Sequence, residues 1–174
     1  NAPRRANKVK SVLTKFGIMP DYYIDAISSG EVGYKMITAL GIKKYFYIGP
    51  PKDNDLMENS GLTQTSAGDA EIAICTGFDE DNSALEEKLP QINAALKAGL
   101  KMYCVNPDLI VVRQDGTKML CAGVIGNHYK EQGGEVVFIG KPYKDVYEHT
   151  FKLLGTSGKI LAIGDGLETD IKGA

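Results

Sequence analysis

Apolar positions along this chain follow two patterns, one with the period of a helix and one of short unbroken runs. Val9, Val12, Leu13 and Phe16 recur at helical spacing, and Gly17 supplies the stop. Asn1 is the expected cap of that first helix, with Pro3 in its first turn. Leu85, Leu89, Ile92 and Leu96 form a second helical stripe. It opens on a Ser83-Ala-Leu-Glu86 capping box, tolerates a bend at Pro90 and stops at Gly99. Val146, Tyr147, Thr150 and Leu154 mark a third helix, closed by Gly155. Residues 22–40 predict a helix in two pieces broken near Gly30. Residues 122–131 predict another before Gly133-Gly134.

The unbroken runs predict strands. Residues 44–48, 71–75, 101–105, 136–139 and 160–163 are short and rich in β-formers or aliphatic side chains. Runs apolar at every position suit strands covered on both faces, as in a parallel sheet. The strand–helix–strand order over 71–105 favours a parallel crossover. Asp115-Gly116 marks a tight hairpin. Residues 49–68, dense in Pro, Asp, Asn, Ser and Gly, predict mostly loop, and Met19-Pro20-Asp21 predicts a linker. The fold class is α/β.

Composition narrows the function classes. The chain has 174 residues, 43% hydrophobic and 24% charged, with a net charge of -2. That balance is ordinary for a globular protein and leaves no electrostatic footprint for nucleic acid. No apolar run approaches the roughly 20 residues of a membrane span, so no membrane partner is expected. Cys75, Cys104 and Cys121 are odd in number and widely spaced, which favours reduced thiols and a cytoplasmic setting over a disulfide framework. His128 and His149 have no neighbouring Cys or His, so a zinc site is not expected. Gly155-Thr-Ser-Gly-Lys159 lacks the spacing of a nucleotide P-loop and predicts a tight turn. Neither a Gly-x-Gly-x-x-Gly nor a Gly-x-Ser-x-Gly segment is present.

Chemistry concentrates at two strand ends. Val136-Val137-Phe138-Ile139 runs into Gly140-Lys141-Pro142, and Ile160-Leu161-Ala162-Ile163 runs into Gly164-Asp165, followed by Thr169-Asp170. In an open parallel sheet an ammonium and carboxylates so placed meet at the carboxyl ends of the strands, where ligands bind. A fixed Lys beside acidic metal ligands is the equipment of magnesium-dependent phosphoryl transfer.

Gly-Lys-Pro and Gly-Asp-x-x-x-Thr-Asp, both without a mismatch, resemble the third and fourth motifs of the haloacid dehalogenase superfamily of phosphohydrolases. The nearest class is the p-nitrophenylphosphatase-like one with a large α/β cap. Asn106-Pro107-Asp108 and the small residues around Cys121-Ala122-Gly123 resemble that cap, and Asn1 stands where the family has the residue after its second-motif Ser or Thr. The resemblance implies a partial Rossmann-like parallel core with an inserted α/β cap: residues 1–20 core, 21–135 cap, 136–174 core.

The resemblance also implies the roles. Asp165 would be a direct Mg2+ ligand and part of the catalytic centre, and Asp170 a second metal partner. Lys141 would bind phosphate and stabilise transition-state charge, Asn1 would help form the phosphate pocket, and Asn106 and Asp108 would face the substrate from the cap. The partner would be a small phosphorylated metabolite, and the cap offers a surface for homo-oligomerisation. The family's nucleophilic Asp-x-Asp would lie upstream of Asn1. Asp53-Asn-Asp55 and Asp79-Glu-Asp81 lack the Gly that follows it and are expected to be solvated loops. The 174 residues alone are therefore expected to be inactive, with the strands at 136–139 and 160–163 lacking a central neighbour. The competing reading is a noncatalytic phosphate-ligand binding or regulatory protein on the same scaffold. A nicotinamide-binding domain has only its βαβ character in support.

Overall fold

The computed structural model describes all residues except 80–83, 114 and 156–157. Ser83 of the expected capping box, Glu80 and Asp81 of the second acidic triplet, and Thr156-Ser157 of the expected turn lie outside the described residues.

Four of the five predicted strands join one five-stranded sheet: β1 (Lys44–Ile48), β3 (Ile72–Cys75), β4 (Lys101–Cys104) and β7 (Val136–Phe138). A two-residue strand, β2 (Thr63–Gln64), adds an edge inside the stretch expected to be mostly loop. The order is β2-β1-β3-β4-β7 and every pairing is parallel. All strands therefore leave the sheet in the same direction. The loops that carry Asn106–Asp108 and Gly140–Lys141 emerge side by side from adjacent strands.

Both faces of the sheet are covered, which is why the runs are apolar at successive positions. Ala73 and Cys75 point to one face with Met102 and Cys104. There they pack against Ile92 and Ala95 of α3 (Leu85–Lys97) and Ile125 and Tyr129 of α4 (Ala122–Glu131). Ile72 and Ile74 point the other way with Tyr103 and Val105, as the period of a strand requires. They meet Val32 and Ile37 of α2 (Ser29–Thr38), and Leu56 and Met57 of a 3-10 segment over Pro51–Met57. Burying a side chain such as Ile74 completely contributes roughly 1.5–3 kcal/mol. Close packing at α4 depends on small residues, since a Cβ on Gly126 would stand 2.6 Å from the Phe138 ring.

The hairpin at Asp115-Gly116 forms as predicted. Strands β5 (Ile110–Val112) and β6 (Lys118–Leu120) pair antiparallel, separate from the main sheet.

Several expectations are corrected. Asn1 does not cap the first helix, α1 (Ala6–Lys15), whose cap is Arg5. The anion at its start is Glu31, which accepts from the Ala6 N–H at 3.1 Å and from Arg5 Nε at 2.8 Å. Residues 22–40 hold one helix, α2, instead of two, because Ser28 caps it at Glu31 N–H and Gly30 lies inside its first turn. A Cβ on Gly30 would strike the Pro3-Arg4 backbone, so the N-terminal segment lies flat across this end of α2.

The first acidic triplet is not a simple solvated loop either, while Asp79 of the second is exposed as expected. Asp53 is buried, with Arg4 Nε 3.7 Å away, and burial raises its pKa. Asp79 holds the ammonium of Lys88, a lysine that is itself buried. The strand at 136–139 has one neighbour, β4, from the segment expected to be cap, and on its other side it is the edge of the sheet among the described residues. The run at 160–163 forms no strand among the described residues. Leu161 and Ile163 there are 83% and 90% exposed.

No helix among the described residues is long and apolar enough to cross a membrane.

Candidate active site

Lys141 is the centre of the arrangement. It leaves β7 through Gly140 and is followed by Pro142, with α5 (Lys144–Leu154) beginning three residues on. The helix thus starts later than the proline, after a turn in which the Tyr143 N–H donates to the Gly140 carbonyl at 2.8 Å. Gly140 has φ +138°, a conformation that L side chains rarely adopt. A Cβ there would also stand 2.5 Å from Pro107 Cδ and 2.6 Å from Asn1 Oδ1. Glycine at this position is what lets three separate segments converge.

Two of those segments are joined to Lys141 by the side chain of Asn1. Its Oδ1 accepts from the Lys141 N–H at 2.7 Å, and its Nδ2 donates to the Lys141 carbonyl at 2.9 Å. The same Nδ2 donates to Asp108 Oδ1 at 2.7 Å. The Asn1 amide is thereby saturated apart from one acceptor lone pair.

The fourth segment brings the acids. Lys141 Nζ donates to Asp170 Oδ1 in a close ion pair. Asp170 Oδ2 accepts from the Gly166 N–H at 3.2 Å, closing a wide helical turn over Leu167–Ile171. The hydrogen bond from Lys141, helped by the Gly166 N–H, holds the Asp170 carboxyl below its ordinary range against a small opposing effect of burial. Gly164 is required here, because a Cβ on it would collide with the Asp170 side chain. Asp165 lies two residues before that turn and is exposed.

Beside Lys141 opens a cavity of about 680 Å³. Asp108, Leu109 and Ile110 form one wall, Gly166 to Thr169 another, and Phe138 and Tyr143 its side, their rings stacked with centroids 5.5 Å apart. A volume of this size suits a small organic ligand.

The structure thus gathers Asn1, Asp108, Lys141 and Asp170. It does not place Asn106 on the cavity. That residue is buried, and its Oδ1 accepts from the Asp108 N–H at 3.2 Å, fixing the turn from beneath. Two functional features escaped the pattern analysis. The Asn1–Asp108 bond spans 107 positions of sequence, and no local signal could have shown it. Lys88 was findable, because it sits on the stripe of Leu85, Leu89 and Ile92, where a charged residue must bring its own partner.

In donor chemistry the Gly164–Asp170 turn fits a hard divalent cation, since carboxylate oxygens are its preferred ligands. Among the described residues the Asp165 carboxylate has no hydrogen-bond or ion-pair partner. Asp170 shares its own with Lys141. Among the described residues no three His, Cys, Asp or Glu side chains gather into a cluster, so the turn supplies part of a coordination sphere. Thiol chemistry is not available: Cys75, Cys104 and Cys121 are free and buried, and burial raises the pKa of Cys104 and Cys121.

Comparison with solved structures supplies the deciding observation. A hydrolase of the haloacid dehalogenase-like family from Brucella suis 1330 matches with a TM-score of 0.86 and 27% identity, over 99% of this chain and 68% of its own. The chain has the fold of the haloacid dehalogenase-like hydrolases. A thermostable NPPase from Geobacillus stearothermophilus matches with a TM-score of 0.76 and 22% identity, over 99% of this chain and 69% of its own. A p-nitrophenyl phosphatase from Archaeoglobus fulgidus gives 0.72 and 22%, over 99% and 66%. At such identities these two show the fold alone. These three structures are of hydrolases, phosphatases among them. No family model matches the chain, and no curated protein matches it in sequence. Against this haloacid dehalogenase-like fold, the Gly-Lys-Pro and Gly-Asp-x-x-x-Thr-Asp segments stand at one edge of the cavity, joined by the Lys141–Asp170 pair.

Proposed function

We propose that the protein is a magnesium-dependent phosphatase acting on a small phosphomonoester through a phosphoaspartyl intermediate. The observation that carries this is the Lys141–Asp170 ion pair, formed across 29 positions, with Lys141 lining a ligand-sized cavity. A binding protein needs a cation for phosphate. It has no need of a carboxylate pair on the adjacent turn, so the noncatalytic alternative ranks second.

In this reading residues 1–20 and 136–174 belong to a core and residues 21–135 form the cap, with β7 pairing across that boundary to β4. A carboxylate from a segment preceding Asn1 attacks phosphorus, the bond to the leaving oxygen breaks, and water then hydrolyses the acyl phosphate. Splitting the displacement in this way replaces one difficult step with two easier ones. Lys141 lies beside the phosphoryl oxygens and offsets their repulsion with the attacking carboxylate. Backbone N–H groups of Asn1 and Ala2 would donate to the phosphate. Asp165 and Asp170 would hold Mg2+, which when bound neutralises charge on the transferring group. Asp108 faces the leaving group from the cavity wall. The buried free thiols agree with a cytoplasmic setting, and the exposed hairpin is the cap surface for self-association.

Phosphate release by the full-length protein, screened across phosphomonoesters with and without Mg2+, tests the reading. Asp165→Asn is expected to weaken Mg2+ in titration calorimetry and to reduce turnover sharply. An unchanged Mg2+ affinity removes Asp165 from the ligand set, and a protein that binds phosphate esters without turning them over favours the binding alternative.

A further inference from the structure

We infer that Asn1 and Asp108 form a two-residue positioning relay: Asp108 fixes the Asn1 amide, and Asn1 in turn fixes the main chain of Lys141. The relay would link the hairpin to the cation of the site, and its catalytic consequence rests on the phosphatase reading above.

The geometry leaves the Asn1 amide one orientation. Oδ1 faces an N–H, and Nδ2 faces two acceptors, the Lys141 carbonyl and the Asp108 carboxylate. Rotated by half a turn, Nδ2 would oppose the Lys141 N–H and Oδ1 would oppose the Asp108 carboxylate. Asp108 is the only charged member of this set and disfavours the rotated form most. A bond to an ionised acceptor is roughly twice as strong as a neutral one. The Asn1 side chain therefore grips the Lys141 main chain at both its N–H and its C=O, and Asp108, which among the described residues makes no hydrogen bond to Lys141, holds it there.

Asp108 is itself well anchored. Its N–H donates to Asn106 Oδ1 at 3.2 Å, and its carbonyl accepts from the Gly123 N–H at 3.0 Å. The next residue, Leu109, accepts from the Cys121 N–H at 2.9 Å, which closes the foot of the β5–β6 hairpin. A group entering the cavity against Leu109 and Ile110 thus bears on the residue that orients the Asn1 amide. Motion of the hairpin would reach Lys141 along these two side-chain bonds, beside the packing of Pro107 on Gly140. Displacing a reacting group by about 1 Å can cost on the order of 100-fold in rate, so such a link has consequences for catalysis.

The test follows the Lys141 amide by hydrogen exchange in the full-length protein, together with turnover. Asp108→Leu is expected to speed exchange at Lys141 by about tenfold, although residue 108 makes no bond to that N–H. Asp108→Asn keeps an acceptor for Nδ2 and should leave protection largely intact. Asn1→Asp places a carboxylate oxygen against both Asp108 and the Lys141 carbonyl, and should deprotect Lys141 and lower kcat with little change in KM. Adding Asp108→Asn to that variant supplies a donor and should restore part of both. Lys141 protection unchanged in Asp108→Leu, or no recovery in the double variant, overturns the relay. Absence of turnover in the unsubstituted protein would overturn the phosphatase reading, while the exchange arm would still decide the relay.

Discussion

The run Ile72-Ala-Ile-Cys75 and the run Ile160-Leu-Ala-Ile163 are both four apolar residues long, and their fates are opposite. The first is a central strand, with Ile74 and Cys75 fully buried between two neighbours. The second forms no strand, and its Leu161 and Ile163 are among the most exposed apolar residues described. An apolar run thus specifies the ability to become a buried strand, not the strand itself. β3 gains its state from β1 and β4 on either side and from helices over both faces. The later run carries the candidate metal ligand Asp165 at its end, and the segment after it is held by the Lys141–Asp170 pair, by a hydrogen bond from the Tyr147 hydroxyl to the Thr169 carbonyl and by its own turn. Stability resides in one region, and candidate chemistry in the other.

The contrast can be broken most directly in the sheet. Ile74→Ala should destabilise the 174-residue chain by about 2–5 kcal/mol in denaturant melts, the cost of a cavity at a closed site. A loss near zero would mean that the central strand is no better supported than the C-terminal run. Lys141→Ala should raise the barrier to turnover of the full-length protein by about 3 kcal/mol while leaving the melting transition close to its original position. Lys141→Arg should rescue little, since the planar guanidinium is wider. An unfolding effect larger than the kinetic one would show that the Lys belongs to the stabilising region.

Acid should separate the two regions further. Burial alone would raise Glu31, but hydrogen bonds from Arg5 and the Ala6 N–H with the Arg5 charge leave it net below its ordinary range. Asp170 is likewise depressed by Lys141. A carboxyl depressed on folding stabilises above its unfolded pKa, about 4.3 for Glu and 3.9 for Asp, and that contribution is lost as pH falls through the folded value. Between neutral pH and about pH 4 both contacts should hold. At lower pH, hydrogen exchange should rise first in α1 and in residues 164–171, before β3 and β4. Simultaneous exposure of all segments would contradict the division. The smallest expected effect is Ile163→Ala, no more than about 0.5 kcal/mol in the 174-residue chain, as for other exposed positions. A cost of several kcal/mol there would mean that the run is packed in solution.

Much of this was legible in the chain. Strands β1, β3, β4 and β7, the hairpin, α3, α4, α5 and the Gly-Lys-Pro and Gly-Asp-x-x-x-Thr-Asp segments follow from periodicity, turn chemistry and resemblance. What escaped was set by contacts distant in sequence. Asn1 looks like a helix cap because Pro3 follows it, yet its amide is claimed by Lys141 and Asp108. Asp53 looks solvated because its neighbours are polar, yet the chain folds Arg4 over it. β2 is too short to announce itself and exists because residues 63–64 are carried alongside Lys44 and Tyr45. The run at 160–163 looks like a strand because local pattern contains no information about whether a partner is present.

The ladder between β4 and β7 works as a vernier. It pairs Met102 with Val136 and Cys104 with Phe138, and beyond it the two chains run on only a few residues to Asp108 and Lys141. Sliding β7 by one residue would turn its side chains inside out. Sliding it by two would preserve the faces but shift Lys141 by nearly 7 Å, more than twice the reach of a hydrogen bond. A single residue inserted in either strand end is therefore enough to set the cation and its carboxylates out of range of one another, with the apolar content of the sheet unaltered. The tolerance of this protein to insertion should be narrow at residues 105–107 and 139–140, which lie on the scale, and wide at the exposed hairpin tip, which lies beyond its end.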